Sequence, residues 1–221
     1  MYKQLKDSGR LNETIFLGTL SGICLALSIF RYVYTGSRGF FLFPNWNLFL
    51  AFLPWLFSTL ITIYPQIQKN RLILVVLIFS WLMFFPNSFY ILTDLFHLQW
   101  KTSIPKWFDL IMILSYAWVG LMFGYLSLWD IEKIIGRRIR KNLIPVFSLS
   151  LLFLGSFGVY LGRYLRWNSW DIIKEPFNLF YDIGDRVLNP LQHKGVWGMT
   201  LFMFIFLSII YWSFRFIRKR N

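Results

Sequence analysis

The chain has 221 residues, 57% of them hydrophobic, 21% aromatic and only 15% charged, with a formal net charge of +13. Average soluble domains carry roughly 25% charged residues, so a water-soluble fold of this size has too little polar surface to cover so much apolar material. The basic balance suits nucleic acid or the Lys/Arg bias of membrane loops; the apolar content favours the second, and no nucleic-acid partner is expected.

Apolar windows long enough to cross about 30 Å of hydrocarbon, roughly 20 residues each, fall near 15–33, 46–64, 72–92, 107–129, 143–162 and 196–217. Inside lipid every backbone polar group must be satisfied within the protein. The windows therefore predict an all-α integral membrane bundle of about six transmembrane helices, a single domain over 1–221 with no room for a soluble one. Lys3, Lys6 and Arg10 precede span one and no small-residue cleavage site follows it, which predicts a retained signal anchor. The single cysteine, Cys24, lies inside that span, so no intramolecular disulfide forms. In "FLFPNWNLF" (Phe41 to Phe49), Pro44 is expected to start the second span, as proline often starts helices.

Span three finishes in "FFPNSFYILTDLFHL" (Phe84 to Leu98). Pro86 cannot donate to the carbonyl of Leu82 and predicts a kink. If the helix continues, Asn87, Tyr90, Asp94 and His97 share an arc of about 80°, with Thr93 beside them. A structural account has Asn87 and Thr93 bonding neighbouring helices while Asp94 caps or pairs with an arginine. A functional account starts from the cost of ionisable residues near a membrane core, which usually face a polar cavity. Asp109, at the start of span four, complements a helix N-terminus. Gly120, Gly124, Gly155 and Gly158 suit close helix packing.

The connection between spans four and five carries Lys133, Arg137, Arg138, Arg140 and Lys141, the densest basic cluster of any short loop, and is expected to be cytoplasmic. Six spans then put both termini in the cytoplasm, with Lys69 and Arg71, and with the terminal Arg215, Arg218, Lys219 and Arg220. The ends of spans three and five, the start of span four and both histidines, His97 and His193, fall outside.

Span five emerges into "YLGRYLRWNSWDI" (Tyr160 to Ile172). Arg163 and Arg166 stand at helical i, i+3 spacing, and Trp167 and Trp170 suit the interface. Asn168 and Asp171 predict an N-cap with an acidic residue in the first turn, opening an amphipathic outer segment over about 168–183, interrupted at Pro176. Arginine is favoured where carboxylate or phosphate is held by a planar donor. The partners are Asp94 and Asp171, or a lipid headgroup, and either pairing needs the two stretches to be neighbours.

These two stretches resemble the characteristic segments of a family of bacterial multi-pass membrane proteins of unknown function, in the same order and with likeness over most of the chain. The resemblance implies a bacterial cytoplasmic membrane location and supplies no activity.

The polar residues converge on one outer-face pocket: Asn87, Tyr90, Thr93, Asp94, His97, Arg163, Arg166, Asn168 and Asp171. One function class is a membrane-embedded enzyme acting on a lipid or lipid-linked substrate. His97 would be its acid or base, Asp94 would orient it, and the arginines would hold phosphate or carboxylate. The other is a non-enzymatic lipid-handling, transport or assembly protein. Below Asn87, span three reads "LILVVLIFSWLMFF", with only Ser80 polar, which argues against a through-channel. Expected partners are membrane lipids and a lipid-linked or anionic small molecule. The sequence names no cofactor. Two histidines preclude a His-rich metal centre, although Asp94 and His97 with His193 or Asp171 form a conceivable shell. No Gly-x-Ser-x-Gly is present, and Ser88, Ser103 and Ser169 are the outer-face serines.

Overall fold

The structure, a computed structural model, describes residues 2–99, 104–137 and 139–220, without the side chains of Phe40, Gln99, Arg218, Lys219 and Arg220. Ser103 and Arg138, named above, lie outside the described residues. In chain order the helices are α1 (Tyr2–Asp7), α2 (Leu11–Thr35), α3 (Arg38–Ile63), α4 (Pro65–Lys69), α5 (Arg71–Phe84), α6 (Asn87–Tyr90), a 3₁₀ helix (Ile91–Gln99), α7 (Lys106–Ile135), a short 3₁₀ turn (Lys141–Leu143), α8 (Ile144–Tyr164), α9 (Asp171–Lys174), α10 (Pro176–Leu188) and α11 (Lys194–Arg220). No strand occurs among the described residues.

Six segments are long and apolar enough to cross a membrane: Leu11–Thr35, Phe41–Ile63, Arg71–Leu98, Lys106–Ile135, Lys141–Tyr164 and Lys194–Ile217. The protein is an all-α multi-pass membrane protein. The chain divides into two compact units, Met1–Arg138 and Ile139–Asn221. The first holds four spans; the second is the α8/α11 pair with the short α9 and α10 between.

In the first unit α7 is the central helix and α2 the most peripheral. Side-chain pairs give the register. Arg10 pairs with Asp130 at 2.5 Å, the Tyr116 hydroxyl donates to the Cys24 carbonyl at 2.9 Å, and Arg31 pairs with Asp109. Each step forward along α2 is matched by an equal step back along α7, so the two are antiparallel. Both intervals, Arg10 to Arg31 and Asp109 to Asp130, are 21 residues, about 31 Å of helix. That equals the thickness of a bilayer's hydrocarbon core, and the two ion pairs form a bracket of that length on the bundle. The Ser58 hydroxyl donates to Asp130 at 2.9 Å and the Tyr116 hydroxyl to Asn45 Oδ1 at 2.8 Å, which sets α3 parallel to α7. The ends of the first unit are called here the Asp94 end and the Asp130 end.

Two local expectations, on Pro44 and on the arginine pair, are corrected. Pro44 does not start the second span: α3 begins at Arg38 and carries both Pro44 and Pro54 inside it. At Pro86 the α-helix breaks off while Phe85 and Pro86 keep right-handed helical angles. The last helical residue of α5 is Phe84, and after Pro86 the chain winds one turn of α-helix before tightening to 3₁₀. Arg163 and Arg166 do not share a helical face, because α8 ends at Tyr164 and Arg166 has φ +61°, in the left-handed region.

Gly120 and Gly124 are where spans three and four meet most closely. A Cβ on Gly120 would lie 2.7 Å from the Ser88 carbonyl oxygen, and one on Gly124 would lie 2.8 Å from the Phe89 ring. The Ser88 hydroxyl, fully buried, donates to the Ala51 carbonyl at 3.1 Å. Together these contacts seat the start of the polar stretch between α3 and α7.

Candidate functional site

Beyond α6 the backbone runs as a nine-residue 3₁₀ helix, long for a form usually limited to three or four residues. Residues i and i+3 eclipse in this geometry, which sorts the stretch into three columns. Ile91, Asp94 and His97 form one column. Leu92, Leu95 and Leu98 form a second, packed against the core cluster around Met112 and Tyr116. Thr93 and Phe96 begin the third. Asp94 and His97 therefore stand one above the other, as the spacing predicted, though through 3₁₀ rather than α-helical winding.

Asp94 is 2% exposed and His97 half-buried. Both are braced by α3. The Asn47 amide donates to Asp94 Oδ2 at 2.9 Å, and the Phe43 ring lies 5.0 Å from the His97 ring, centroid to centroid. The earlier F-P-N segment thus packs on the later one. Its two side chains that matter are Phe43, the Phe of F-P-N, and Asn47, one helical turn further on.

The other residues of the stretch turn partly inward. Asn87 donates to the Phe84 carbonyl at 3.1 Å, and Thr93 to the Tyr90 carbonyl at 2.7 Å. The expectation that Thr93 bonds a neighbouring helix is corrected: its hydroxyl returns to its own helix. Tyr90 is half-buried. Ser88, spent on Ala51, is structural.

Two further polar groups occupy the same end of the first unit. Arg31 Nε and Nη2 donate to the two carboxylate oxygens of Asp109 at 2.6 and 3.0 Å, with both side chains buried. Asp109 does sit in the first turn of α7, but its principal role is this bidentate pair, whose charge-assisted geometry is the strong kind. Asn45 donates to the Ser28 hydroxyl at 3.0 Å and to the Phe41 carbonyl at 2.7 Å while accepting from Tyr116. Sequence reasoning passed over Arg31, Asn45, Asn47 and Tyr116. Arg31 carried a legible signal, being an ionisable residue within an apolar window.

The remaining candidates belong to the second unit. Asn168 and Asp171 do meet, and Asp171 stands in the first turn of α9 as expected, but Asn168 is not its N-cap. The Asp171 carboxylate accepts from the Asn168 backbone N–H at 2.7 Å and from its side-chain amide at 3.1 Å. Asp171 caps the turn, and Asn168 is capped. Arg163 is half-buried and Arg166 exposed. The amphipathic segment takes shape as α9 and α10, with Pro176 opening α10. Its polar face holds Asp182, which accepts from Trp167 Nε1 at 2.8 Å and from Arg186 at 2.9 Å. Asp185 lies beside it, 2.7 Å from His193 Nε2. Hydrogen bonding from Asn189, then from His193, holds the Asp185 carboxyl below its ordinary value. His193 is thus engaged within its own unit. Among the described residues no group of three or more His, Cys, Asp or Glu is placed to hold a metal ion.

A family model described as "Protein of unknown function (DUF1361)" matches residues 46–210. No curated protein and no solved structure matches the chain.

Proposed function

The chain belongs to the family of proteins of unknown function DUF1361, and we propose that the Asp94 end of its first unit is an outer-face site for a lipid or lipid-linked substrate. The Lys/Arg distribution supports this orientation. The basic connection around Lys133 to Lys141 follows the Asp130 end, which the positive-inside bias assigns to the cytoplasm. The Asp94 end then faces outward from a bacterial plasma membrane.

The observation that carries the reading is the Asp94–His97 column. One member is buried and the other half-open, and each is fixed from α3 by Asn47 or Phe43. A buried carboxylate is costly unless it is hydrogen-bonded and used. In this reading His97 takes a proton from a substrate hydroxyl or a water and returns it to the leaving group. Asp94 stabilises the imidazolium formed in between, and Asn47 keeps its carboxylate aimed. In the second unit, taken by itself, Asn168 and Asp171 shape the turn that presents Arg166, a planar donor suited to phosphate or carboxylate. Asn87 and Tyr90 line the approach, with Thr93 buried behind them.

The test is conversion of a lipid extract by the reconstituted protein, followed by mass spectrometry of the lipids. His97→Gln should lower turnover by about 10²–10⁴-fold, the usual worth of a positioned acid–base group. Equal lipid profiles with wild type and His97→Gln would overturn catalysis. They would leave the second reading, a non-enzymatic lipid-handling or assembly protein, which the Asn47–Asp94 bond favours by acting as a tie between helices.

A further inference from the structure

A groove of about 310 Å³ runs between α2 and α3 and is floored by α7. Its α2 wall is Thr14, Gly18 and Ser21, and its floor is Phe52, Trp55 and Phe123. These three rings pack on one another with centroids 5.6–6.0 Å apart, so the floor is rigid. On the other wall, a Cβ built on Gly18 would find nothing within 4 Å. The groove is open because a small residue faces it, not because a large side chain has swung away.

Its position along the bundle is fixed by the polar cluster at its foot. Trp55 Nε1 donates to Glu13 at 2.8 Å, Glu13 pairs with Arg10 at 2.6 Å, and the Arg10 guanidinium lies 5.5 Å over the Trp55 ring. Arg10 in turn pairs with Asp130, one end of the 31 Å bracket described above. From Thr14 to Ser21 the groove climbs about 10 Å, starting one turn inside the bracket and stopping near its middle. It therefore lies within one leaflet, on the Asp130 side, and opens sideways to hydrocarbon.

The geometry points to a binding site for one acyl chain of a bilayer phospholipid from that leaflet. Spread over its length of about 10 Å, the volume leaves a cross-section of about 30 Å². A helix with its side chains is about 10–12 Å across, more than twice that area, so a second copy's helix does not enter. The lining is apolar apart from Thr14 and Ser21. The Thr14 hydroxyl is already spent on the Arg10 carbonyl at 2.9 Å, which leaves Ser21, at the far end, as the other polar group of a lining that is otherwise apolar. At its foot Arg10 and Lys133 face Asp130 and Glu13, two cations against two carboxylates, so the site selects the chain by shape and places no demand on headgroup charge. It is separate from the Asp94 end and does not rest on the function proposed there.

The experiment uses the full chain in vesicles of phosphatidylcholine and phosphatidylglycerol, doped with a phosphatidylcholine bearing a mid-chain diazirine. After irradiation the adducts are mapped by peptide mass spectrometry. The lipid-exposed α5 residues Leu72, Val75 and Val76 report ordinary bulk contact. Residues 48–55 should be labelled several-fold more than these. Gly18→Leu, and independently Ser21→Leu, should return the groove to the bulk level, whereas Gly22→Leu, on the exposed face of α2 outside the groove, should leave the enrichment intact. Labelling of 48–55 at or below the α5 level in the wild-type protein overturns the proposal, whatever the variants do. Enrichment that survives both groove-filling variants overturns it as well. So does a Gly18→Cys disulfide forming between copies, which would put a second chain where the lipid belongs.

Discussion

Arg166 is the one described non-glycine residue with positive φ. Such a conformation brings Cβ against the following carbonyl and costs an L-residue about 1 kcal/mol. The chain nevertheless places an exposed arginine there, just past α8, in a turn closed by the Trp167 N–H to the Leu161 carbonyl at 3.2 Å and braced by Asp171. Strain of this kind persists where the side chain is needed for something else. Arg166→Gly should accordingly raise stability by about 1 kcal/mol, read as a higher melting temperature in detergent. An unchanged or lower melting temperature would show that the Arg166 side chain contributes more to the fold than its backbone costs. Nothing in the sequence announces this residue as special beyond its charge. The i, i+3 spacing from Arg163 pointed to a helical pair, and the helix ends too early to make one.

At the scale of elements, the polar stretch depends on how tightly α6 and the 3₁₀ helix sit against α7. Gly120 has no room for a methyl group because the nearest atom is backbone, the Ser88 carbonyl oxygen at 2.7 Å. Gly120→Ala must push α6 away, at a cost of about 1–3 kcal/mol, and the shift would carry Asp94 away from Asn47. The check is thermal unfolding of the variant beside Gly18→Ala, whose Cβ meets nothing and which should be close to neutral. Equal effects at the two positions would contradict the packing account. Gly120 and Gly124, the six spans and the amphipathic α10 were legible in the sequence because each leaves a mark in periodicity or composition. The 3₁₀ winding was not, since its i, i+3 columns resemble an α-helical stripe over so few turns. The partners of Asp94 and His97 were equally hidden. Asn47 and Phe43 lie some fifty residues upstream, and only the antiparallel register of α3 against the third span brings them there.

For the whole first unit, the two ion pairs 21 residues apart fix both the direction and the register of α2 against α7. Buried pairs give little net stability, because desolvation offsets their attraction, but losing one partner leaves a charge stranded. Arg31→Ala should therefore destabilise by about 3–5 kcal/mol, seen as a large fall in melting temperature. The exchange Arg31→Asp with Asp109→Arg should recover part of that loss. Recovery is incomplete because it puts a cation in the first turn of α7, against the helix dipole. A double variant no better than the worse single one would show that the pair's position, and not its charge complementarity, holds the helices in register. The sequence located Asp109 but assigned it only to the helix terminus. The matched intervals along α2 and α7 have meaning only once the two are known to be antiparallel.

The claim at the centre of this account is that the Asp94–His97 column holds a ligand, and binding tests it more directly than turnover. The measurement is native mass spectrometry of protein extracted gently from its own membranes, comparing Asp94→Asn with wild type. Both should carry Gly18→Leu, so that a lipid in the α2/α3 groove does not contribute. A lipid or lipid-linked adduct should appear on the Asp94 protein and be missing from Asp94→Asn, although the asparagine variant is folded by its melting temperature. The same adducts on both proteins, or none on either, would contradict it and leave Asp94 as a buried tie between α3 and the 3₁₀ helix.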